Sequence, residues 1–248
     1  MIHIKSKREV EILRKSNRIV AEVLLHLKDM VAPGRTGKDL DQAAEAMIRQ
    51  MGGVPAFKGY RGYPASVCVS INEQVVHGIP DSRVFAEGDI VSLDLGAVYE
   101  GYVGDAALTV PVGGIDEESQ RLLAVTEQAL MKGIQKARRG NRLFDISHAI
   151  QSYVEEHGFS VVRDFTGHGI GREMHEDPQI PNFGTPGTGD RLKEGMVFAL
   201  EPMVNAGDWR VRVLNDGWTV ITADGKRSAH FEHSIAITEA DPVILSLP

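Results

Sequence analysis

The chain has 248 residues, of which 42% are hydrophobic and 25% charged, and its formal net charge is -7. This length can bury one substantial core, whereas the negative charge and the lack of any basic run argue against a nucleic-acid partner. No apolar stretch reaches the roughly 18 residues that a membrane span needs, and residues 1–15 are too polar for a secretory signal. We therefore expect a cytoplasmic globular protein without a membrane partner.

Two helices are predicted at the beginning of the chain. Ser6 and Glu9 form a capping-box pattern, and apolar residues at helical spacing follow until Pro33-Gly34 ends the helix. The second helix is predicted from about residue 37 to residue 51, closed by Gly52-Gly53.

Strands are predicted next, over residues 66–71, 90–95, 98–103 and 106–110, which are rich in β-branched and apolar residues. The Gly, Pro and acidic residues between them are interpreted as turns. Asp116 can cap a third helix near residues 117–137, and a fourth is predicted near residues 144–157, again followed by strands. The glycine-rich segment 184–190 is interpreted as a surface loop.

The order helix, helix, strand occurs twice. Several helix and turn residues have a counterpart 106 positions later, as in the pairs Gly34 and Gly140, and Asp39 and Asp145. Residues 87–94 and 194–201 share the pattern Glu-Gly-x-aliphatic-x-x-Leu-acid at an offset of 107. We therefore predict one α+β domain, residues 1–248, made of two pseudo-symmetric halves, about 1–112 and 113–248, with a site between them.

Each half offers two acidic residues in apolar surroundings. Asp94 and Glu201 end the two matching segments, Asp105 is predicted at the start of a strand, and Glu232 on a strand over residues 231–237. Buried carboxylates are costly unless paired, and four that converge repel one another. Two divalent cations would balance these charges, lower the pKa of a shared water and clamp a tetrahedral transition state, which is the chemistry of amide hydrolysis.

Histidines concentrate in the glycine-rich segment 167–175, which holds His168 and His175, and His77 stands apart. A single histidine is more often structural, but together with the acids these three indicate a site. The motifs of zincins, serine hydrolases and P-loop proteins are absent. Because Cys68 is the only cysteine, a zinc site built from cysteines is excluded. Cys68 is interpreted as a core or pocket residue, not a nucleophile.

The ordered set of these residues resembles that of the type I methionine aminopeptidases: His77, Asp94, Asp105, His168, His175, Glu201 and Glu232. Residues 59–64, 70–73, 77–80, 166–171 and 201–203 also match, and the similarity spans nearly the whole chain. It implies the pita-bread fold, in which helices cover a curved antiparallel sheet, and removal of the initiator methionine from nascent proteins when the next residue is small.

The resemblance also implies two divalent metal ions per chain, Co, Mn, Fe or Zn, and a role for each matching residue. Asp94 would chelate one ion, Asp105 and Glu232 would bridge both, and His168 with Glu201 would complete the other. Glu201 would also help deprotonate the bridging water.

Two further histidines would act on the substrate by the same resemblance. His175 would hydrogen-bond the scissile carbonyl, and His77 would contact the scissile amide. The methionine pocket would be lined by Tyr60, Tyr63, Cys68, Trp218, Phe57 and Met174. Phe57 and Met174 stand where bacterial members usually have Cys and Phe, and both keep the pocket apolar.

Two alternatives share this fold. A prolidase or Xaa-Pro aminopeptidase would use the same five ligands but usually carries an extra N-terminal domain, and an inactive ribosome-associated homologue would have lost ligands. The interval from Glu201 to Glu232 leaves no room for the type II insertion, and no zinc-binding N-terminal extension is found, as in a bacterial or organellar form. The expected partners are peptides or nascent polypeptides that begin with methionine, with association at the ribosome, and a monomer is expected.

Overall fold

The computed structural model describes the whole chain, from Met1 to Pro248. Its helices are α1 (Lys7–Met30), α2 (Gly37–Gln50), α3 (Glu117–Lys136) and α4 (Leu143–Glu156), with one 3-10 turn at Tyr60–Gly62. The strands are β1 (Val54–Pro55), β2 (Cys68–Ile71), β3 (Gln74–Val76), β4 (Ile90–Tyr99), β5 (Tyr102–Pro111), β6 (Ser160–Val161), β7 (Thr166–Gly169), β8 (Glu176–Pro181), β9 (Val197–Leu200), β10 (Met203–Asn205), β11 (Val211–Val213), β12 (Val220–Thr222), β13 (Ser228–His230), β14 (Glu232–Ala236) and β15 (Val243–Ile244).

All four predicted helices are confirmed. The capping box at the start of α1 is formed, because the Glu9 carboxylate accepts a 2.8 Å hydrogen bond from the Ser6 N–H and the Glu9 N–H donates to the Ser6 hydroxyl. Thr36 and Asp39 form the same box at the start of α2, where Asp39 accepts from the Thr36 N–H at 2.9 Å. None of the helices is both long enough and apolar enough to cross a bilayer.

A nine-stranded sheet runs through both halves of the chain. Its strand order is β1-β4-β5-β14-β9-β7-β8, with β2 added on β4 and β15 on β14, and every pairing is antiparallel. One core packs α1 and α2 against β2, β4 and β5, and another packs α3 and α4 against β9 and β14. Two three-stranded sheets, β13-β10-β6 and β11-β12-β3, complete the α+β fold.

The duplication seen in the sequence has a structural counterpart in the loops that precede α2 and α4. Gly34 and Gly140 have nearly equal positive φ angles of 90° and 93°, a region that favours glycine. Their N–H groups donate 3.0 Å hydrogen bonds to the carbonyls of Phe85 and Leu192, respectively. The donors are 106 positions apart and the acceptors 107, so the same loop is built in each half.

The prediction of three short strands between residues 90 and 110 was wrong. The chain forms one long hairpin of β4 and β5, ten residues each, which turns at Glu100-Gly101, where both φ angles are positive. Asp105 therefore lies inside β5 instead of at the start of a strand. The strand predicted from residue 66 begins at Cys68.

The glycines interpreted as turns lie inside these strands, at points where other parts of the chain approach the strand backbone closely. A Cβ atom at Gly104 would lie 2.6 Å from the backbone nitrogen of Asn17 on α1. At Gly96 it would lie 2.9 Å from the Phe57 ring. These two strand glycines are needed where a helix and an aromatic ring approach the backbone. The local sequence alone does not distinguish such a glycine from one in a turn.

Candidate active site

Strand register brings the four acids to one face of the sheet. Ala107 on β5 pairs with Asp94 on β4 and, on its other side, with Glu232 on β14. Residues directly opposite point to the same face, as do residues two apart on one strand, so Asp105 joins this row. Glu201 directly follows β9, whose last residue is paired next to Glu232. The carboxylates of the two halves thus meet, as predicted.

His168 enters the same cluster from β7. It pairs with Ala199, two residues before Glu201, and therefore faces the same side. The Nε2 atom of His168 lies 3.4 Å from Oε1 of Glu201 and 4.0 Å from Oδ2 of Asp105. Single donor atoms of Asp105, His168 and Glu232 lie within 4.8 Å of one another, close enough to share an ion.

The electrostatics of this cluster call for cations. Asp105 and Glu232 are 4% and 3% exposed, and one carboxylate oxygen on each, as well as Oδ1 of Asp94, is buried without a hydrogen-bond partner. Burial raises the pKa of Asp94 to about 7. Burial, and then repulsion from neighbouring acids, holds the pKa values of Asp105, Glu201 and Glu232 well above their usual range.

The donor set fits divalent cations. No lysine or arginine forms an ion pair with the four carboxylates, so their charge is left for an ion to neutralise. Carboxylate oxygens and one imidazole are ligands that several first-row metals accept. Burial lowers the pKa of His168 to about 4, which keeps the ring neutral and its lone pair free for an ion.

A cavity of about 280 Å³ opens over the cluster. All the residues that the sequence singled out as site residues line it, together with two others, and the complete lining is Phe57, Tyr60, Arg61, Tyr63, Cys68, His77, Asp94, Asp105, Phe165, His168, Met174, His175, Glu201, Trp218 and Glu232. Acids and aromatic walls therefore belong to one cavity.

Apolar side chains form the wall of the cavity beside the acids. Trp218 packs edge-on against Tyr63, with ring centroids 5.1 Å apart. Cys68 is buried and lies opposite Asp94 across the β2–β4 pair. Burial and the nearby carboxylates raise the pKa of the Cys68 thiol, so it stays protonated, as expected of a pocket residue and not of a nucleophile.

Two histidines face the cavity from different elements. His175 follows β7, and its Nδ1 atom lies 2.8 Å from the Tyr60 hydroxyl. His77 follows β3 with a positive φ of 59° and packs edge-on against Phe165. Burial lowers the pKa of His77 to about 4. Burial, and then the nearby guanidinium of Arg61, lowers the pKa of His175, so both rings are neutral at pH 7.

Three residues at the site were missed by the sequence reasoning. Arg61 and Phe165 line the cavity. His230 is buried, and its Nε2 atom lies 3.8 Å from Oε2 of Glu201 without a hydrogen-bond partner. The available signal was that His230 stands two residues before Glu232, the spacing of neighbours on one face of an extended chain.

Comparison with known proteins places these features in a family. The profile of metallopeptidase family M24 matches residues 11–239. The chain is 56% identical to methionine aminopeptidase 1 of Bacillus subtilis over 246 residues, which is 99% of both proteins. It is 54% identical to the methionine aminopeptidase of Clostridium perfringens over 247 residues, covering 100% of this chain and 99% of the relative.

Comparison with solved structures gives the same family as the sequence relatives. The methionine aminopeptidase of Thermotoga maritima superposes with a TM-score of 0.99 over 100% of both chains at 52% identity. The prolidase of Pyrococcus furiosus, 24% identical, shares the fold alone, with a TM-score of 0.81 over 99% of this chain and 65% of that one. The chain therefore belongs to metallopeptidase family M24, within the group of its methionine aminopeptidases, and has their pita-bread fold.

Proposed function

We propose that the chain is a metal-dependent aminopeptidase that removes the N-terminal methionine of new proteins when the next residue is small. The observation that carries the proposal is the meeting of four carboxylates from both halves, without a cationic side-chain partner, in a cavity with apolar walls. The relatives that match the chain over its whole length are named for this activity.

We infer that five residues hold two divalent cations: Asp94, Asp105, His168, Glu201 and Glu232. The count of two follows from charge, because four carboxylates are neutralised by two doubly positive ions. When bound, such ions lower the pKa of a water in the site and polarise the substrate carbonyl. Mn, Fe, Co and Zn all accept this donor set, so the metal is chosen by availability in the cell as much as by the site.

Glu201 is placed to move the proton. Its side chain is 15% exposed, compared with 5% for Asp105, and its Oε1 lies 3.4 Å from Nε2 of His168. We infer that Glu201 takes a proton from the attacking water and returns it to the departing amine nitrogen. A carboxylate within hydrogen-bond reach of both the water and the amine nitrogen can carry a proton between two steps.

His175 and His77 would bind the scissile peptide group. If the Tyr60 hydroxyl donates to Nδ1 of His175, the proton of this neutral ring sits on Nε2 and can be donated to the scissile carbonyl oxygen. A donor aimed at that oxygen stabilises the charge that develops in the transition state. His77, which also lines the cavity, would contact the scissile amide.

The methionine side chain would occupy the apolar part of the cavity. Its walls include Phe57, Tyr63, Met174 and Trp218, and a thioether packs favourably against aromatic rings. A volume of about 280 Å³ is near the lower limit of small-molecule pockets, which suits one side chain and the adjoining peptide group.

We also propose that residues 1–248 act as one catalytic domain and as a monomer in the cytoplasm, where ribosomes release the substrates. All five ligand residues and the pocket come from one chain, which supports action without a partner subunit.

Cleavage of Met-Ala-Ser compared with an Xaa-Pro peptide tests the activity. We expect release of methionine from the first and little turnover of the second. Preference for the Xaa-Pro peptide would reject the assignment in favour of a proline-specific peptidase, and no turnover of either by the metal-loaded protein would indicate an inactive homologue. Metal analysis of protein purified without added metal would test the count of two ions.

A further inference from the structure

Residues 170–175 form a turn between β7 and β8 that carries two of the cavity residues, Met174 and His175. The turn has no ladder of its own, and the strand register is irregular next to it, between His168 and Gly169. Its shape must therefore be set by side-chain and tertiary contacts. The position of His175 depends on what holds this turn.

The carboxylate of Glu176, the residue after His175, folds back over the turn. Its Oε1 accepts a 2.9 Å hydrogen bond from the N–H of Arg172 and a longer one, 3.4 Å, from the N–H of Glu173. A Cβ atom at Gly171 would lie 2.4 Å from the same oxygen, so any side chain there would displace the Glu176 carboxylate. The Glu176 side chain thus holds the backbone of this turn in place.

Lys5 completes this arrangement from the N-terminal segment. Its Nζ lies 2.6 Å from Oε2 of Glu176, and the two side chains are only 5% and 10% exposed. In every other Lys or Arg ion pair, both side chains are at least 26% exposed. The Lys5 N–H also donates to the Gly195 carbonyl at 2.7 Å, which ties the segment to the strands of the second half.

A buried ion pair contributes little net stability, because desolvation offsets most of the attraction. The pair does, however, fix the geometry of the turn. The Glu176 carboxylate binds two backbone N–H groups of the turn and the Lys5 ammonium group at the same time. We propose that Lys5 and Glu176 are a positioning pair that holds His175 where it meets the substrate. The inference rests on the role proposed above for His175.

A double-mutant cycle with His175 tests this proposal on the full-length, metal-loaded protein. Lys5→Met keeps the length of the side chain and removes its charge. We expect this variant to lose about tenfold or more in kcat on Met-Ala-Ser, because small displacements of a catalytic group are costly. In a His175→Ala background, the same substitution should change kcat by less than about twofold, because its effect passes through the missing imidazole.

Glu176→Gln provides a second route to the same result. It keeps an oxygen that accepts the Arg172 N–H but leaves Lys5 without its counter-ion, and it should show the same non-additivity with His175→Ala. If Lys5→Met does not fold, Glu176→Gln still decides the question.

Asp145→Asn is the matched control. Asp145 also folds back over backbone amides, accepting from the N–H groups of Arg142 at 2.8 Å and Gly187 at 2.7 Å, but it does not line the cavity. We expect a lower Tm with kcat unchanged, and metal content equal to that of the parent in all variants.

Full kcat in both Lys5→Met and Glu176→Gln would overturn the proposal. A loss that persists undiminished in the His175→Ala background would also overturn it, because the pair would then be only structural. Failure of the proposed function would be distinguishable, since the parent itself would not cleave Met-Ala-Ser.

Discussion

Gly104→Ala should destabilise the protein through one close contact between a helix and a strand. Gly104 lies in β5, beneath α1, and its Cβ would lie 2.6 Å from both the backbone nitrogen of Asn17 and the carbonyl carbon of Ser16. Real Cβ atoms do not approach this closely. Because the obstructing atoms belong to the backbone, no side-chain rotation relieves the clash.

The size of the effect follows from what must move. The helix would have to retreat by about 0.8 Å to reach an ordinary contact of 3.4 Å, and α1 carries several fully buried side chains, among them Leu13, Val20 and Leu27. Overpacking of this kind costs about 1–3 kcal/mol, and we expect the upper end. For a chain of this size that corresponds to a fall in Tm of about 6–12 °C.

The shift would also reach the metal site. The N–H of Asp105 donates a 3.2 Å hydrogen bond to the Asn17 side chain on the same helix turn. Urea unfolding of metal-free protein, followed by circular dichroism, isolates the packing cost from the stability that bound metal adds. Metal titration then reports the effect on Asp105, which we expect to weaken binding.

Gly114→Ala is the control, because its Cβ would meet only a Glu87 oxygen at 3.5 Å, an ordinary contact. We expect its unfolding free energy to stay within about 0.5 kcal/mol of the parent value. If Gly104→Ala unfolded at the same urea concentration as Gly114→Ala, the helix would be free to adjust and the explanation of this glycine would be wrong.

Four further outcomes are expected. Glu201→Ala, and separately chelation of the metal, should abolish cleavage of Met-Ala-Ser with the circular dichroism spectrum unchanged, and full turnover in either case would contradict a dinuclear site. His175→Ala should lower kcat about a hundredfold while metal content, measured by elemental analysis, stays the same. Tyr60→Phe, which keeps the ring but removes the hydroxyl that bonds Nδ1 of His175, should lower kcat about three- to tenfold; steady-state kinetics with kcat equal to that of the parent would show that the bond does not orient the imidazole. Burial raises the pKa of Asp94 from 3.8 to about 7, so in metal-free protein its ionisation opposes folding increasingly as the pH rises above 3.8. Metal-free Asp94→Asn should therefore exceed the metal-free parent in stability at pH 8, by up to about 4 kcal/mol, with the difference vanishing near pH 3.5 in urea unfolding.

Local chemistry in the sequence determined the helices and the type of site. Ser6 with Glu9 predicts the start of α1 because a capping box satisfies backbone groups within four residues, and this physics needs no distant partner. The acids could also be recognised in the sequence. A carboxylate such as Asp94 within an apolar segment is costly to bury in any fold unless it is paired or bound to a cation. The nearly constant spacing of the repeat, 106 or 107 positions, then predicted that acids of both halves meet.

Only the tertiary structure decided which features of the strands and turns serve long-range contacts. Gly104 carries the same local signal as a turn glycine, and the helix that explains it lies more than eighty positions away in the chain. The Lys5–Glu176 pair joins residues 171 positions apart, and nothing near either residue in the sequence indicates the other. Burial and pairing across such distances depend on how the sheet brings segments together, and this is why the residues that hold His175 in place emerge only from the folded chain.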